Sequence, residues 1–329
     1  MKVPVKGTDR ATVKGTERAK RFDGETTGAV QGTQAPHLEP SRSVQWSSMP
    51  LIPGPLVNSS WLNEHSLDPG LLIADVRWYL DGRPGEAAYD AGHLPGAVFV
   101  DLDRDCAAQA GLGPGRHPLP SPERFAVAMA ALGIGDDTAV VAYDDAGGSI
   151  AARLWWMLTV TGHDCAVLDG GISAWTGELS VDLAPRPSHV SFSARPWPLT
   201  DVVDVVAVDF HRRIGGAVVL DARSTERFRG DPNPIDKRPG HIPGAHSAPW
   251  SANIDPVTGR FRGRNELRAR FAQLGVREDR PTVCYCGSGV TACHNLLALR
   301  IAGLDDARLY PGSWSDWSAD PDRPIATGP

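Results

Sequence analysis

Short apolar runs alternate along this chain with longer stretches in which apolar residues recur at helical spacing. The short runs predict buried strands at residues 71–76, 98–102, 138–143, 165–168 and 282–285. The longer stretches predict helices at residues 125–132, 150–161 and 290–301. Strands that alternate with helices are typical of a mostly parallel sheet with helices on both faces, so the sequence predicts an α/β fold.

The pattern occurs twice along the chain. Gly92-His-Leu-Pro-Gly-Ala97 returns as Gly240-His-Ile-Pro-Gly-Ala245, and residues 132–175 match residues 274–317 at a constant offset of 142 positions. Self-similarity of this kind indicates a tandem duplication of one domain. We therefore expect a first domain at residues 56–183, a proline-rich linker at 184–200 and a second domain at 201–329.

Residues 1–55 differ from the rest of the sequence. The first 48 contain eight Lys and Arg against five Asp and Glu, almost no aliphatic clusters, and a near repeat of Val5-Lys-Gly-Thr at Val13. Such a segment buries too little apolar surface to offset its ordering entropy. It is therefore expected to be a disordered N-terminal extension.

Composition narrows the class of protein. Hydrophobic content of 41% and charged content of 22% are those of a soluble globular chain. The net charge of −6 and the lack of a basic stripe argue against nucleic acid as a partner. No apolar run approaches the ~20 residues of a membrane span, and none follows the basic N-terminus as in a secretory signal. Five clustered cysteines do not make a disulfide framework, so a cytoplasmic location is expected.

The main chemical signal is a cysteine in a glycine-rich loop, Cys286-Gly-Ser-Gly-Val-Thr291, between a predicted strand and a predicted helix. Backbone N–H groups and a helix N-terminus favour the anionic form of such a sulfur, which is the nucleophilic form. In the first copy Asp144 stands at the matching position. An aspartate cannot replace a sulfur nucleophile, so catalysis is assigned to the second copy.

A tandem repeat of units that carry Asp-x-Arg, Gly-His-[Ile/Leu]-Pro-Gly-Ala and then the cysteine loop resembles the two-domain rhodanese-type sulfurtransferases. The resemblance covers residues 56–327. The loop at 286–291 is similar to that of the 3-mercaptopyruvate sulfurtransferases within this family. Relatives that use thiosulfate more often carry basic residues directly after the cysteine, where this chain has Gly287 and Ser288.

The resemblance implies that Cys286 takes sulfur from a small-molecule donor as a persulfide, without a cofactor. The sulfur then passes to cyanide or to a thiol, such as a small thiol or a thioredoxin-like protein. Four loop residues are expected to hold the sulfur anion and the donor: Gly287, Gly289, Val290 and Thr291. Ser288 and His93 are expected to form a proton relay, with Glu86 or Asp90 as its acidic member.

The resemblance also implies that arginines bind the carboxylate of the donor. Arg227 matches the first of them, and a guanidinium suits a carboxylate because it can donate two parallel hydrogen bonds. The second lies just before the Gly-His turn in the family. In this chain the spacing there differs, and Arg238 or Lys237 is expected to take its place.

Other functions remain as alternatives. The alternative sulfur donor is thiosulfate. The alternative class of protein is a non-catalytic rhodanese-like binding module. A cysteine phosphatase would need an arginine six positions after the cysteine, where this chain has Ala292. A zinc site drawn from Cys284, Cys286, Cys293 and His294 lacks the usual Cys-x2-Cys pairs, so no metal is expected.

Overall fold

Two parallel sheets, one in each half of the chain, form the framework of the protein. A computed structural model describes residues 52–184 and 190–329, all within one compact unit. The expected N-terminal extension lies outside the described residues except for its last four positions. The expected linker is described at residue 184 and from residue 190 onward, and residues 190–200 contain no helix or strand.

The first sheet has five strands, all in parallel pairs. In chain order they are β1 (Leu56–Val57), β2 (Leu71–Asp75), β3 (Val98–Phe99), β4 (Ala139–Tyr143) and β5 (Cys165–Leu168). Their spatial order is β1-β5-β4-β2-β3. The strand predicted at 98–102 ends at Phe99, because Asp101 accepts the backbone N–H groups of residues 103 and 104 and starts a helix.

The second sheet repeats this arrangement. Its strands are β6 (Val218–Asp221), β7 (His246–Ser247), β8 (Thr282–Tyr285) and β9 (Ala307–Leu309). Their order is β7-β6-β8-β9, and a parallel bridge from Val202 to Leu309 takes the place that β1 has in the first sheet. The predicted α/β fold and its tandem duplication are therefore confirmed.

Helices cover both sheets. In the first half they are α1 (Ser59–His65), α2 (Gly85–Ala91), α3 (Leu102–Asp105), α4 (Pro122–Ala131) and α5 (Ala151–Val160). In the second half they are α6 (Val205–Ile214), α7 (Thr225–Arg229), α8 (Arg264–Gln273), α9 (Ala292–Ala302) and α10 (Ser313–Trp317). The three helices predicted from spacing correspond to α4, α5 and α9. Helix α9 ends at Gly303, whose φ of 72° only glycine adopts without strain.

The two halves share one apolar core. Helices α5 and α9 pack against each other, and Leu154, Leu158 and Leu297 belong to the same buried cluster. Each of these helices follows the loop at the carboxyl end of a central strand, β4 or β8. Their packing therefore brings the Asp144 loop and the Cys286 loop to the interface between the halves. Among the described helices, none is long and apolar enough to cross a membrane.

Candidate active site

The Cys286 sulfur lies at the base of the loop between β8 and α9. The residue is only 2% exposed, and the Gly289 N–H donates a hydrogen bond to its Sγ at 3.1 Å. Gly289 has a φ of 81°, and a Cβ there would stand 2.5 Å from the Pro311 carbonyl oxygen, so no other residue fits. The carbonyl groups of Gly287, Val290 and Thr291 accept N–H groups of Ser315, Cys293 and His294, which shapes the loop around the sulfur.

A hydrogen-bonded relay reaches the loop from the first half of the chain. His117 Nδ1 lies 2.7 Å from Ser288 Oγ, and its Nε2 lies 3.1 Å from Asp103 Oδ1. Trp78 donates its indole N–H to the other Asp103 oxygen and sets its ring against the imidazole. Burial lowers the pKa of His117 to about 4, so the ring is neutral at pH 7. With Nε2–H donating to Asp103, Nδ1 accepts the Ser288 hydroxyl proton.

His93 does not take part in this relay. It is fully buried in the first half, with its ring stacked on Tyr89 at 3.8 Å. Its Nδ1 lies 2.9 Å from the Tyr89 carbonyl oxygen and its Nε2 lies 3.0 Å from that of Asp182. His241 does the same in the second half, where it stacks on Phe228 at 3.6 Å. The expected pairing of Ser288 with His93 is therefore corrected, because the Gly-His turns are structural.

The acidic member of the relay also differs from expectation. It is Asp103 in α3, and not Glu86 or Asp90. One sequence signal could have pointed to His117. The segment 248–263 of the second copy, which follows the second Gly-His turn, contains no histidine, whereas the first copy has one in a Gly- and Pro-rich loop. This is the same kind of asymmetry that singled out Cys286 over Asp144.

Arg227, which the resemblance assigns to the carboxylate of the donor, lies beside the cysteine loop, but its guanidinium already has a partner. Its Nε and Nη2 donate to the two oxygens of Asp236 at 2.7 and 2.6 Å. Its Nη2 is also 3.0 Å from the point where a Cβ on Gly287 would stand. Arg227, in α7, is therefore a cation beside the loop whose positive charge is largely matched by one carboxylate.

Arg238 is engaged by another part of the chain. Its guanidinium donates to the carbonyl groups of Ser318, Asp320 and Arg323, so it holds the C-terminal segment. The cation that sequence analysis missed is Arg116, from the loop that also carries His117. Its Nη2 lies 2.9 Å from the Cβ point of Gly287, which Arg227 also approaches. The loop after Cys286 is therefore neutral in sequence but faces two guanidinium groups in space.

In the first copy, the matching loop is filled by its own side chain. The Asp144 carboxylate is buried and accepts four backbone N–H groups, from Ala146, Gly148, Ile150 and Ala151, at 2.8–2.9 Å. Burial raises the pKa of Asp144, and the four hydrogen bonds oppose that shift. The carboxylate thus occupies the cradle that the sulfur occupies in the second copy, and this loop offers no nucleophile.

The candidate zinc ligands do not converge. Cys293 Sγ donates to the Gly289 carbonyl at 3.4 Å, and His294 Nε2 lies 3.1 Å from the Gly147 carbonyl oxygen. Among the described residues there is no group of three or more His, Cys, Asp or Glu side chains that could hold a metal ion.

Comparison with known proteins agrees with the fold. Residues 58–178 and 206–320 both match the family model described as "Rhodanese-like domain". The chain is 43% identical to a Pseudomonas aeruginosa protein named probable 3-mercaptopyruvate sulfurtransferase, over 83% of this chain and 98% of that protein. It is 34% identical to thiosulfate/3-mercaptopyruvate sulfurtransferase 1 of Arabidopsis thaliana, over 82% of this chain and 78% of that one. The crystal structure of Escherichia coli SseA superposes with a TM-score of 0.71 at 35% identity, covering 80% of this chain and 99% of SseA.

Proposed function

Because the chain belongs to the rhodanese family of sulfurtransferases, we propose that it moves sulfur from 3-mercaptopyruvate to a thiol through a persulfide on Cys286. The observation that carries this proposal is the meeting of a buried cysteine loop with the Ser288–His117–Asp103 relay. Relatives named as 3-mercaptopyruvate sulfurtransferases align over nearly their whole length, which supports this donor.

In the first half-reaction, the Cys286 thiolate attacks the thiol sulfur of the donor. A sulfur–sulfur bond forms, the donor's carbon–sulfur bond breaks, and the bonding electrons leave on the enolate of pyruvate. The proton of the donor thiol passes through Ser288 and His117 to the enolate carbon, so pyruvate leaves and an anionic persulfide remains. A neutral His117 suits this role, because its Nδ1 can take a proton from Ser288.

In the second half-reaction, an acceptor thiolate attacks the outer sulfur of the persulfide. The sulfur–sulfur bond breaks, its electrons return to Cys286, and the acceptor leaves as a persulfide. The Gly289 N–H, 3.1 Å from Sγ, stabilises the negative charge that returns to the sulfur. We propose a small thiol or a thioredoxin-like protein as acceptor. The five cysteines are free thiols, which supports a reducing compartment such as the cytoplasm.

Thiosulfate is the second candidate donor. Two guanidinium groups stand beside Gly287, and a dianion gains from cations close to the attacked sulfur. The Arabidopsis relative carries both donors in its name. Initial rates with 3-mercaptopyruvate and thiosulfate, measured side by side at equal concentration, decide which donor this enzyme prefers. A higher kcat/KM for thiosulfate would make it the first-named substrate.

The persulfide itself provides the direct test. After treatment with 3-mercaptopyruvate, mass spectrometry should find ~32 Da added to the peptide that contains Cys286, as covalent catalysis requires. Cys286→Ser should abolish pyruvate release while the protein stays folded. Cys165→Ser, which changes a buried thiol of β5, is the matched control and should keep its activity. Sulfur found only on another cysteine would contradict the proposal.

We also propose domain boundaries at residues 56–183 and 201–329, joined by the linker at 184–200. The matches of the family model, at 58–178 and 206–320, support them. Residues 1–55 are then an extension that adds nothing to sulfur transfer. A chain that starts at Met49 should retain the kcat/KM of the full chain, and a large loss of activity would contradict this division.

A further inference from the structure

The linker between the two halves of the chain lies along the first half. Residues 190–198 contain no helix or strand, but polar and aromatic contacts hold them. The Asp136 carboxylate accepts the backbone N–H and the hydroxyl of Ser193 at 2.8 and 2.6 Å. Further along, the ring of Trp197 packs on Phe125 of α4, with 5.4 Å between ring centroids. This part of the linker is therefore a docked segment of fixed position.

Trp197 also contacts the loop that carries His117. Its indole N–H donates to the Pro120 carbonyl oxygen at 2.8 Å, although the two residues are 77 positions apart in the chain. Pro120 lies three positions after His117 and directly before Ser121, the N-cap of α4. Proline fixes its own φ, and Pro118 is also a proline, so this short segment has few ways to absorb a shift. A displacement of the Pro120 carbonyl is therefore passed on to His117.

The other side of the same loop is held by the second half of the chain. Gly115 has a φ of 81°, and a Cβ there would stand 2.4 Å from the Gly312 carbonyl oxygen. This close approach docks the loop on the turn before α10. The next residue, Arg116, donates its backbone N–H to Ser315 Oγ at 3.0 Å. His117 thus lies between an anchor from the second half and an anchor from the linker.

The relay needs both anchors because its own contacts are few. His117 Nδ1 lies 2.7 Å from Ser288 Oγ, and Nε2 lies 3.1 Å from the carboxylate of Asp103. The Asp103 side chain is 59% exposed, so water competes for its oxygens and it holds the ring weakly. A shift of about 1 Å would take the ring out of hydrogen-bond range of Ser288, and a misplacement of that size can cost about 10²-fold in rate.

We propose that Trp197 of the linker is a positioning residue for sulfur transfer. By binding the Pro120 carbonyl, it keeps the loop where His117 can reach Ser288. The inference rests on the proposed function and gives the linker a part in it. The competing account is that Trp197 only fills space between α4 and the linker. In that case its loss would reduce stability and leave the relay unchanged.

The test is Trp197→Phe, which keeps an aromatic ring against Phe125 and removes the indole N–H. It should lower kcat with 3-mercaptopyruvate about 10-fold and change KM less than about twofold, because the lost contact lies away from the donor. In a His117→Asn background the same change should alter kcat less than about twofold, since no imidazole is left to position.

Trp156→Phe is the matched control. Trp156 in α5 is 3% exposed and stacks on Trp197 with 6.1 Å between ring centroids. Within residues 52–184 and 190–329, its indole N–H donates to no group of the protein. The control therefore removes the same atoms from the same aromatic cluster without touching the Pro120 carbonyl. It should lower the melting temperature at least as much as Trp197→Phe and keep the wild-type kcat.

An NMR titration of the His117 ring provides a second measurement that needs no turnover. Burial is the main influence on this ring, which Asp103, Arg153 and Arg116 also face, and its pKa is about 4. A loosened loop lets water reach the ring, so the pKa should rise toward the ordinary 6.5 in Trp197→Phe and stay in place in Trp156→Phe. The ring signals are assigned by their loss in His117→Asn.

Three results would overturn the inference. They are equal falls of kcat in the two tryptophan variants, a wild-type kcat in Trp197→Phe, and an unchanged titration of His117 in that variant. If Cys286 takes no sulfur from 3-mercaptopyruvate, the proposed function fails separately, and the titration still decides whether Trp197 positions His117.

Discussion

At the scale of single residues, the proposed chemistry depends on a neutral imidazole held between a hydroxyl and a carboxylate. Burial and the neighbouring Arg153 and Arg116 disfavour the protonated ring of His117, while Asp103 favours it. The balance lowers its pKa to about 4, so the ring takes and returns a proton at neutral pH without being charged at rest. A thiol donor needs such a group, because its proton must reach the departing enolate.

Replacing His117 should slow sulfur transfer without unfolding the protein. His117→Asn removes the group that accepts the Ser288 proton, so kcat should fall about 10²- to 10⁴-fold, as for loss of general acid–base catalysis. Ser288→Ala should have a similar effect, and the double variant should be little worse than either, because the two residues act as one unit. Steady-state kinetics with 3-mercaptopyruvate provides the measurement.

His93 is the control for this prediction. His93→Gln breaks a buried contact with the Tyr89 and Asp182 carbonyls. It should lower the melting temperature and leave the kcat of the folded fraction unchanged. The opposite result, in which His93→Gln stops turnover and His117→Asn does not, would refute the relay described above.

At the scale of helices, α5 and α9 each contact the loop that precedes the other helix. Arg153 in α5 is fully buried, and it donates to the Gly289 carbonyl of the catalytic loop at 3.0 Å. It also donates to the His117 carbonyl at 3.2 Å and to that of Cys106 at 3.3 Å. In the other direction, His294 in α9 reaches the Gly147 carbonyl. Arg153 thus positions both the cysteine loop and the histidine loop.

Arg153→Met should reduce both stability and activity. Three carbonyl groups lose a donor, two of them in buried contacts, so the free energy of unfolding should fall by roughly 3 kcal/mol. The positive charge of Arg153 lowers the pKa of His117, so its removal should raise that pKa and move the acid limb of the kcat profile to higher pH. Denaturant unfolding and a pH–rate profile measure the two effects. Reduced stability with an unshifted profile would mean that Arg153 has a structural role alone.

At the scale of the whole molecule, buried histidines make the fold sensitive to acid. Burial lowers the pKa of four of them below the ordinary 6.5: His117, His163, His241 and His294. The unfolded chain binds protons at these positions from about pH 6.5 downward, whereas the folded chain does not. Their contribution to stability is therefore present at pH 7 and above, and it is lost as the pH falls.

His294 shows the largest effect, because burial lowers its pKa to about 3. Between pH 7 and pH 5 its linkage should remove about 2 kcal/mol from the free energy of unfolding. His294→Gln should be less stable at pH 7 and should lose less stability over this interval than the wild type. The exposed His246→Gln serves as the control and should keep the wild-type slope. Equal slopes for all three proteins, in urea unfolding at both pH values, would contradict the assignment.

Much of the fold of this protein follows from local patterns in its amino-acid sequence. The parallel strands, the helices that follow them and the duplication are visible in the sequence because they depend on the spacing of apolar residues and on repeated turns. The cysteine loop is visible for the same reason, since a strand, a glycine-rich turn and a helix are consecutive in the chain. The difference between Asp144 and Cys286 then identified which copy carries the sulfur chemistry.

The partners of that cysteine were decided by tertiary structure alone. His117 is 171 positions from Ser288, and nothing in the intervening sequence sets their distance. Their contact arises because α5 packs on α9 and the loop with Gly115 docks on the turn at Gly312. The same docking brings Arg116 to Gly287, while the guanidinium of Arg238 donates to backbone carbonyls of the C-terminal segment. Short-range patterning specified the nucleophile, and long-range packing between the two copies selected the residues that serve it.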